Sequence, residues 1–142
     1  MNMWRVVCTC GLLAALGCGA GEPRGEVEGA VRCNGKPLAD VVVVFVPDAD
    51  QGTRGARALG QTDAEGRYRL RGEDRRAGAA AGTHRVVIED LAAYAAPRQP
   101  DGTLLRKPAP RFPPQYGDPL RTPLRKQVQT GSQVIDLELP GP

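Results

Sequence analysis

Histidine is nearly missing from this chain: His84 is the only one in 142 residues. Serine occurs once, at Ser132, and tryptophan once, at Trp4, while aromatic residues make up only 4%. A zinc site wants three or four nitrogen, sulfur or carboxylate ligands, which one histidine and few thiols do not supply. A glycine-rich phosphate loop and a serine nucleophile elbow are also lacking. Charge of one sign is nowhere dense, because 19 basic residues are dispersed among 16 acids for a net +3. Nucleic-acid binding would want a clustered basic face with stacking aromatics. The nearest approach, Arg67, Arg69, Arg71, Arg75 and Arg76, is diluted by Glu73 and Asp74, so no nucleic-acid partner is expected. No repeat of 20 to 50 residues is visible, which excludes a solenoid.

What is present begins with a leader. One positive charge, Arg5, precedes an apolar run from Val6 to Leu16 and small residues around Gly17-Cys18-Gly19. This is the pattern of a secretory signal, and the run is too short to cross a bilayer as a helix. Leu13-Ala14-Ala15-Leu16-Gly17-Cys18 resembles a bacterial lipobox, although Ala15 stands where that pattern prefers leucine. Residues 1–17 are thus expected to be a lipoprotein-type signal peptide and Cys18 the lipidation site, with 18–25 a flexible spacer. The domain would then sit in the cell envelope, lipid-anchored to a membrane on its extracytoplasmic side, or be secreted if Cys18 is not acylated. Cys8 and Cys10 leave with the leader, so Cys33 remains as a lone thiol and a disulfide framework is excluded.

The rest reads as strands. Residues 26–33 alternate apolar and polar, Asn34-Gly35 is a hairpin turn, and 38–46 form a valine-rich strand with Val42 and Val44 on its outer side. Residues 59–62 and 67–70 flank Asp63-Ala64-Glu65-Gly66 as a second hairpin. A connection over 71–82, with room for a helical turn, leads to a strand over 83–90 that puts His84, Val86 and Ile88 on one face. Prolines crowd residues 91–121, and the expectation there is an extended, partly mobile excursion. Strands over 122–128 and 133–139 complete a seven-stranded, all-β antiparallel sandwich.

GEVEGAVRCNGKPLADVVVVFVP, QTDAEGRYRL, AGTHRVVIED, PPQYGDPLRTPLRKQV and VIDLEL together resemble the carboxypeptidase regulatory-like domain of the transthyretin-like (prealbumin-like) superfamily, as found in small bacterial lipoproteins. The resemblance covers residues 26–139. Its specific parts are the Gly35-Lys36-Pro37-Leu38 turn, the segment from Thr62 to Tyr68, the strand start Gly82-Thr83-His84, and Pro113 to Pro119. It implies a seven-stranded β-sandwich that is extracytoplasmic and usually non-catalytic. His84 departs from the aromatic that relatives tend to carry there, and Val42 and Val44 depart from small polar residues. An enzymatic branch of that superfamily acts on hydroxyisourate, but it uses several histidines and a C-terminal Tyr-Arg-Gly-Ser segment that this chain lacks.

Gly35, Pro37, Asp63, Gly66 and Tyr68 are therefore read as structural: Asp63 caps turn amides, Gly66 supplies a positive φ, and Tyr68 points inward. Asp63 and Glu65 leave a weak calcium option, short of an EF-hand's ligand set. No catalytic residue, no cofactor and no other metal are expected. The expected role is a protein-binding or envelope-assembly module, its partner an envelope protein or a glycan, with Tyr94, Phe112 and Tyr116 as possible contacts. Carbohydrate binding is the alternative. An enzyme would require His84 in a cleft beside Cys33, Asp90 or another acid.

Overall fold

The computed structural model describes residues 21–106 and 108–142. Residues 1–17, expected to be a signal peptide, and Cys18 lie outside the described residues. Eleven strands follow in chain order: β1 (Arg24–Cys33), β2 (Lys36–Pro37), β3 (Val41–Pro47), β4 (Ala58–Gln61), β5 (Arg67–Arg69), β6 (Arg71–Gly72), β7 (Ala79–Ala80), β8 (Gly82–Asp90), β9 (Arg125–Val128), β10 (Gly131–Val134) and β11 (Leu137–Leu139). Only short 3-10 turns at Ala49–Gln51, Leu91–Ala93 and Pro114–Gly117 interrupt them. The protein is all-β, in two sheets.

The first sheet is built around β1. On one side β1 pairs antiparallel with β7, β5 and β2 in turn; on the other it pairs parallel with β10 and then β11. The second sheet is antiparallel throughout, in the order β6-β4-β3-β8-β9. Its centre is the long β3–β8 ladder, running from Val41 opposite Asp90 to Pro47 opposite His84. β-branched residues dominate it because two branched carbons at Cβ suit a pleated, half-buried surface. The inner faces of both sheets feed one core, with Val27, Val31, Leu137 and Leu139 from the first and Val43, Phe45, Val86 and Ile88 from the second.

Several expectations change. β1 starts at Arg24, so the end of the expected spacer is already strand. The parallel pairings of β1 make the first sheet mixed rather than antiparallel. The expected last strand is divided in two at Ile135-Asp136, where Ile135 N–H donates to Glu28 O (2.8 Å) and Asp136 Oδ1 accepts from Ala30 N–H (2.8 Å). The break faces Gly29, where a Cβ would stand 1.9 Å from Ile135 O, so only glycine admits that carbonyl. Leu38 to Asp40 drop out of the second strand because Asp40 turns left-handed (φ 54°). Residues 71–82 hold β6, a tight turn and β7 in place of a helical turn. The hairpin at Asn34-Gly35 forms as its two positive φ angles (48° and 76°) require, with Cys33 opposite Lys36. On the outer side of the second sheet, Val44 lies between Leu59 and Val87 and is itself buried.

The 61–70 stretch is the most informative correction. β4 and β5 do not pair with each other: β4 belongs to the second sheet and β5 to the first. Residues 62–66 are a corner between sheets. Thr62, buried, ties the corner to β3: its Oγ1 accepts from Val41 N–H (3.1 Å) and donates to Val41 O (3.3 Å). Gly66, at φ 75°, accepts from Val31 N–H (2.8 Å), which brings the corner down on β1.

The Pro-rich excursion is also only partly what its composition implies. Residues 92–95 and 97–103 are exposed, but Phe112 and Tyr116 are buried members of the same core as Ile88 and Val128. Arg111 fixes their approach, as described below. No helix among the described residues is long and apolar enough to cross a membrane.

Candidate binding groove and the residues around it

The three groups that an enzyme reading needs do not meet. His84 is wholly buried, its ring tilted against Phe45 at 5.7 Å between centroids. Its Nδ1 lies 3.1 Å from Gly82 O, and because a carbonyl can only accept, Nδ1 carries the proton. Nε2 is buried with no partner among the described residues. Burial holds the imidazole below its ordinary pKa, with the Gly82 hydrogen bond opposing weakly, so the ring is neutral at physiological pH. Asp90 stands at the other end of β8, six residues and roughly 20 Å away at strand rise. Cys33 is at that far end too: its Sγ donates to Arg111 O (3.3 Å) and Pro140 O (3.4 Å). No base faces that thiol from His84, which fills the core where a Phe or Leu would otherwise sit.

Asp63 and Glu65 are engaged with their own turn. Asp63 Oδ1 accepts from Glu65 N–H (3.0 Å) and Arg67 N–H (2.8 Å), while Arg67 donates to Asp63 Oδ2 (3.1 Å) and to Glu65 (3.3 Å). The Arg67 amide, reinforced by its guanidinium and the Glu65 amide, holds the Asp63 carboxyl below the usual carboxylate range. The Asp63 and Glu65 carboxylates are thus both paired with Arg67, and among the described residues no three His, Cys, Asp or Glu side chains converge as a metal site. Tyr68 follows with its ring buried and its hydroxyl donating to Ile135 O (2.6 Å), so the corner and the strand break share a hydrogen bond. Burial, then the charge of Asp136, push that phenol well above its ordinary pKa.

The open site is the outer face of the first sheet. Two adjoining depressions of about 520 and 670 Å³ share Glu28, Arg69 and Val134. Their floor is β1, and their walls are β5 on one side and β10 on the other. Alternation puts Glu26 and Glu28 of β1 outward beside Arg67 and Arg69 of β5, and Arg69 donates to Glu28 (2.8 Å). Val134 is 66% exposed, an apolar contact set among charges. Gln133 is less open, since its side-chain amide closes the β9–β10 turn by donating to Gln129 O (2.7 Å). The groove offers paired opposite charges, a hydroxyl at Ser132 and an apolar patch, the equipment of a recognition surface.

The proposed aromatic contacts separate. Tyr94 is 69% exposed in the 91–110 segment, whereas Phe112 and Tyr116 are buried and present no ring face. Their burial corrects the expectation that all three are contacts: a sheet edge with few aromatics takes the available rings into its core. Two charged clusters have arginine partners that sequence reading missed, and Asp48, read with Asp50 as a solvated acid, is buried. Arg111 donates to both oxygens of Asp90 (2.6 and 2.9 Å) and to the carbonyls of Ala39 (2.8 Å) and Asp40 (3.2 Å). Burial alone would raise the Asp90 carboxyl, but the Arg111 hydrogen bonds and charge, with the Ala92 amide, outweigh it and leave the pKa lowered. At the opposite end of β8, buried Asp48 faces Arg85 (3.3 Å) and Arg125 (3.7 Å), and Arg85 also reaches Asp50 (2.7 Å). Asp48 caps the 3-10 turn that follows it, the one local signal that could have marked it.

No family model matches the chain, and no curated protein or solved structure matches it either.

Proposed function

We infer that this protein is a non-catalytic binding domain on the extracytoplasmic side of a bacterial envelope, carried on a lipid at Cys18, that recognises a protein partner through the outer face of its first sheet. The groove over β1 carries the reading. It is the place where opposite charges, a hydroxyl and an exposed valine converge on a rigid floor, while His84 and the Arg111–Asp90 pair are consumed by packing. A partner with alternating charge and one apolar side chain for Val134 fits that chemistry. For the fold, the finer assignment is a transthyretin-like sandwich of the carboxypeptidase regulatory-like kind, supported by two sheets sharing one core and by the turn at residues 62–68. Tyr94 alone is a poor sugar platform, so protein recognition is favoured over a glycan.

Photo-crosslinking residues placed at Val134 and Arg69 in intact cells test this. Adducts to one protein, absent with the probe at Gln127 on the edge of the second sheet, are the expected result. Equal labelling from all three positions, or none from the groove, would remove the groove as the recognition surface. Retention of the chain in the membrane fraction, lost in Cys18→Ala, tests the anchor separately.

A further inference from the structure

The geometry points to a second contact surface: the pole from which the chain enters β1 docks on the headgroups of anionic phospholipid, by arginines that make no ion pair among the described residues. This rests on the anchor at Cys18 proposed above. From Cys18 to Arg24 the chain has six residues, which reach about 20 Å at full extension. A lipid on Cys18 therefore holds the start of β1 against the bilayer surface, and whatever side chains surround that start face the headgroups.

Residues 21–22 emerge between two arginine-bearing loops. A Cβ on Gly21 would stand 3.3 Å from the Arg76 guanidinium, and one on Gly55 would stand 2.6 Å from the Glu22 carboxylate and 3.2 Å from Ala80 Cβ. Arg54, beside Gly55, and Arg75 and Arg76 in the β6–β7 turn are all exposed. Among the described residues none of the three makes an ion pair. Of the neighbouring acids, Asp74 faces Arg24 (3.3 Å) and Glu73 faces Arg57 (2.5 Å), while Glu22 and Glu26 have no cation among the described residues. The pole thus carries Arg24, Arg54, Arg57, Arg75 and Arg76 against Glu22, Glu26, Glu73 and Asp74, a net +1. Arg75 adds a second argument. It adopts φ 66° in its turn, a left-handed conformation that glycine or asparagine takes with less strain. A long cationic side chain at such a position, exposed and without an ion pair among the described residues, fits an anion outside the protein. Anionic lipid is the ligand because the tether brings that surface, and no other, within reach.

The test uses full-length protein carrying Cys18→Ala, which takes no lipid, mixed with vesicles of phosphatidylcholine alone or with phosphatidylglycerol added. Any affinity of the leader is common to all samples. Binding to the anionic vesicles should exceed binding to the neutral ones and fall with salt. Replacing Arg54, Arg75 and Arg76 by Gln should weaken it by about five-fold for each arginine. Replacing Arg32, Lys36 and Arg98 by Gln, two of them at the other end of β1, should leave it within about two-fold, since their charges are remote from the docked pole. Equal loss from both triples would reduce the effect to overall charge, and equal binding to the two vesicle types would remove the surface altogether; either overturns the proposal. The mass of Cys18 in wild-type protein reports acylation independently, so a missing lipid is told apart from a missing headgroup surface. None of the three guanidinium groups holds the fold in the described residues, and matched melting curves confirm that the triple variant folds.

Discussion

The corner at residues 62–66 and the clasp at Arg111 solve the same problem in different ways. Each fixes a place where the chain leaves one layer and must come back against another. The corner does it with neighbours: Asp63 caps amides two and four residues ahead, and Gly66 turns left-handed beside β1. The clasp does it at a distance, with Arg111 spanning twenty-one residues back to Asp90 and more than seventy to the carbonyls of Ala39 and Asp40. Local hydrogen bonds make a turn before the rest of the fold exists; a distant ion pair holds only what the fold has already brought together.

The largest expected effect lies at the corner. Gly66→Ala places a Cβ 2.6 Å from Val31 O and 3.0 Å from Leu38 N at a left-handed φ. Strain and displaced backbone should cost about 3 kcal/mol in denaturant unfolding, and a change within error would show that the corner is soft. Next is the clasp. Arg111→Met leaves a half-buried Asp90 carboxylate without its cation, at a cost of about 2 kcal/mol, below the fully buried range because both side chains retain some exposure. In a double-mutant cycle with Asp90→Asn, the two substitutions should be strongly non-additive; simple additivity would mean that the pair does not hold the excursion.

A pH titration sharpens the contrast. The His84 pKa is lowered in the folded protein, so above about 6.5 neither state binds the extra proton and the ring costs nothing. Below that the unfolded chain takes the proton first, and stability falls as pH drops. His84→Leu should flatten the curve between pH 7 and 5, and an unchanged slope would place the loss elsewhere. The lowered Asp90 carboxyl acts in the same direction at more acidic pH: its contribution is present above about 3.9 and is lost below, and Arg111→Met should abolish it.

A smaller loss is expected for Asp63→Ala, roughly 3 to 5 °C in Tm, with Asp63→Asn retaining most of the turn because its amide oxygen still accepts. Smallest is Tyr94→Ala, expected within about 0.5 kcal/mol, since the ring is exposed and packs on nothing in the core. A large destabilisation there would mean that the 91–110 segment carries structure of its own.

The legible parts follow the same division. Strand runs, the Asn34-Gly35 hairpin, the burial of His84 with Val86 and Ile88, and the roles of Asp63, Gly66 and Tyr68 could all be read from alternation and turn chemistry. Read locally, however, the corner becomes a hairpin, because sequence shows that two strands flank a turn and not which sheets they join. The groove was invisible for a related reason. Glu26, Glu28, Arg69 and Val134 look like ordinary outward residues until β1 sits between β5 and β10. Arg111, one arginine among many in a proline-rich stretch, gave no local sign of its partners.

By itself the sequence determined that this would be a β protein with a small aliphatic core, poor in histidine, serine and aromatic residues. Period-two alternation, glycine turns and scarce histidine act over a few residues and need no partner to be expressed. Tertiary structure alone decided that β1 would be the hub of a mixed sheet, that Phe112 and Tyr116 would be core, and that Arg54, Arg75 and Arg76, without an ion pair among the described residues, would gather near the start of β1. Those outcomes depend on pairing between segments as far apart as Gly25 and Gly131, and which distant segments meet is set by the packing of the whole chain.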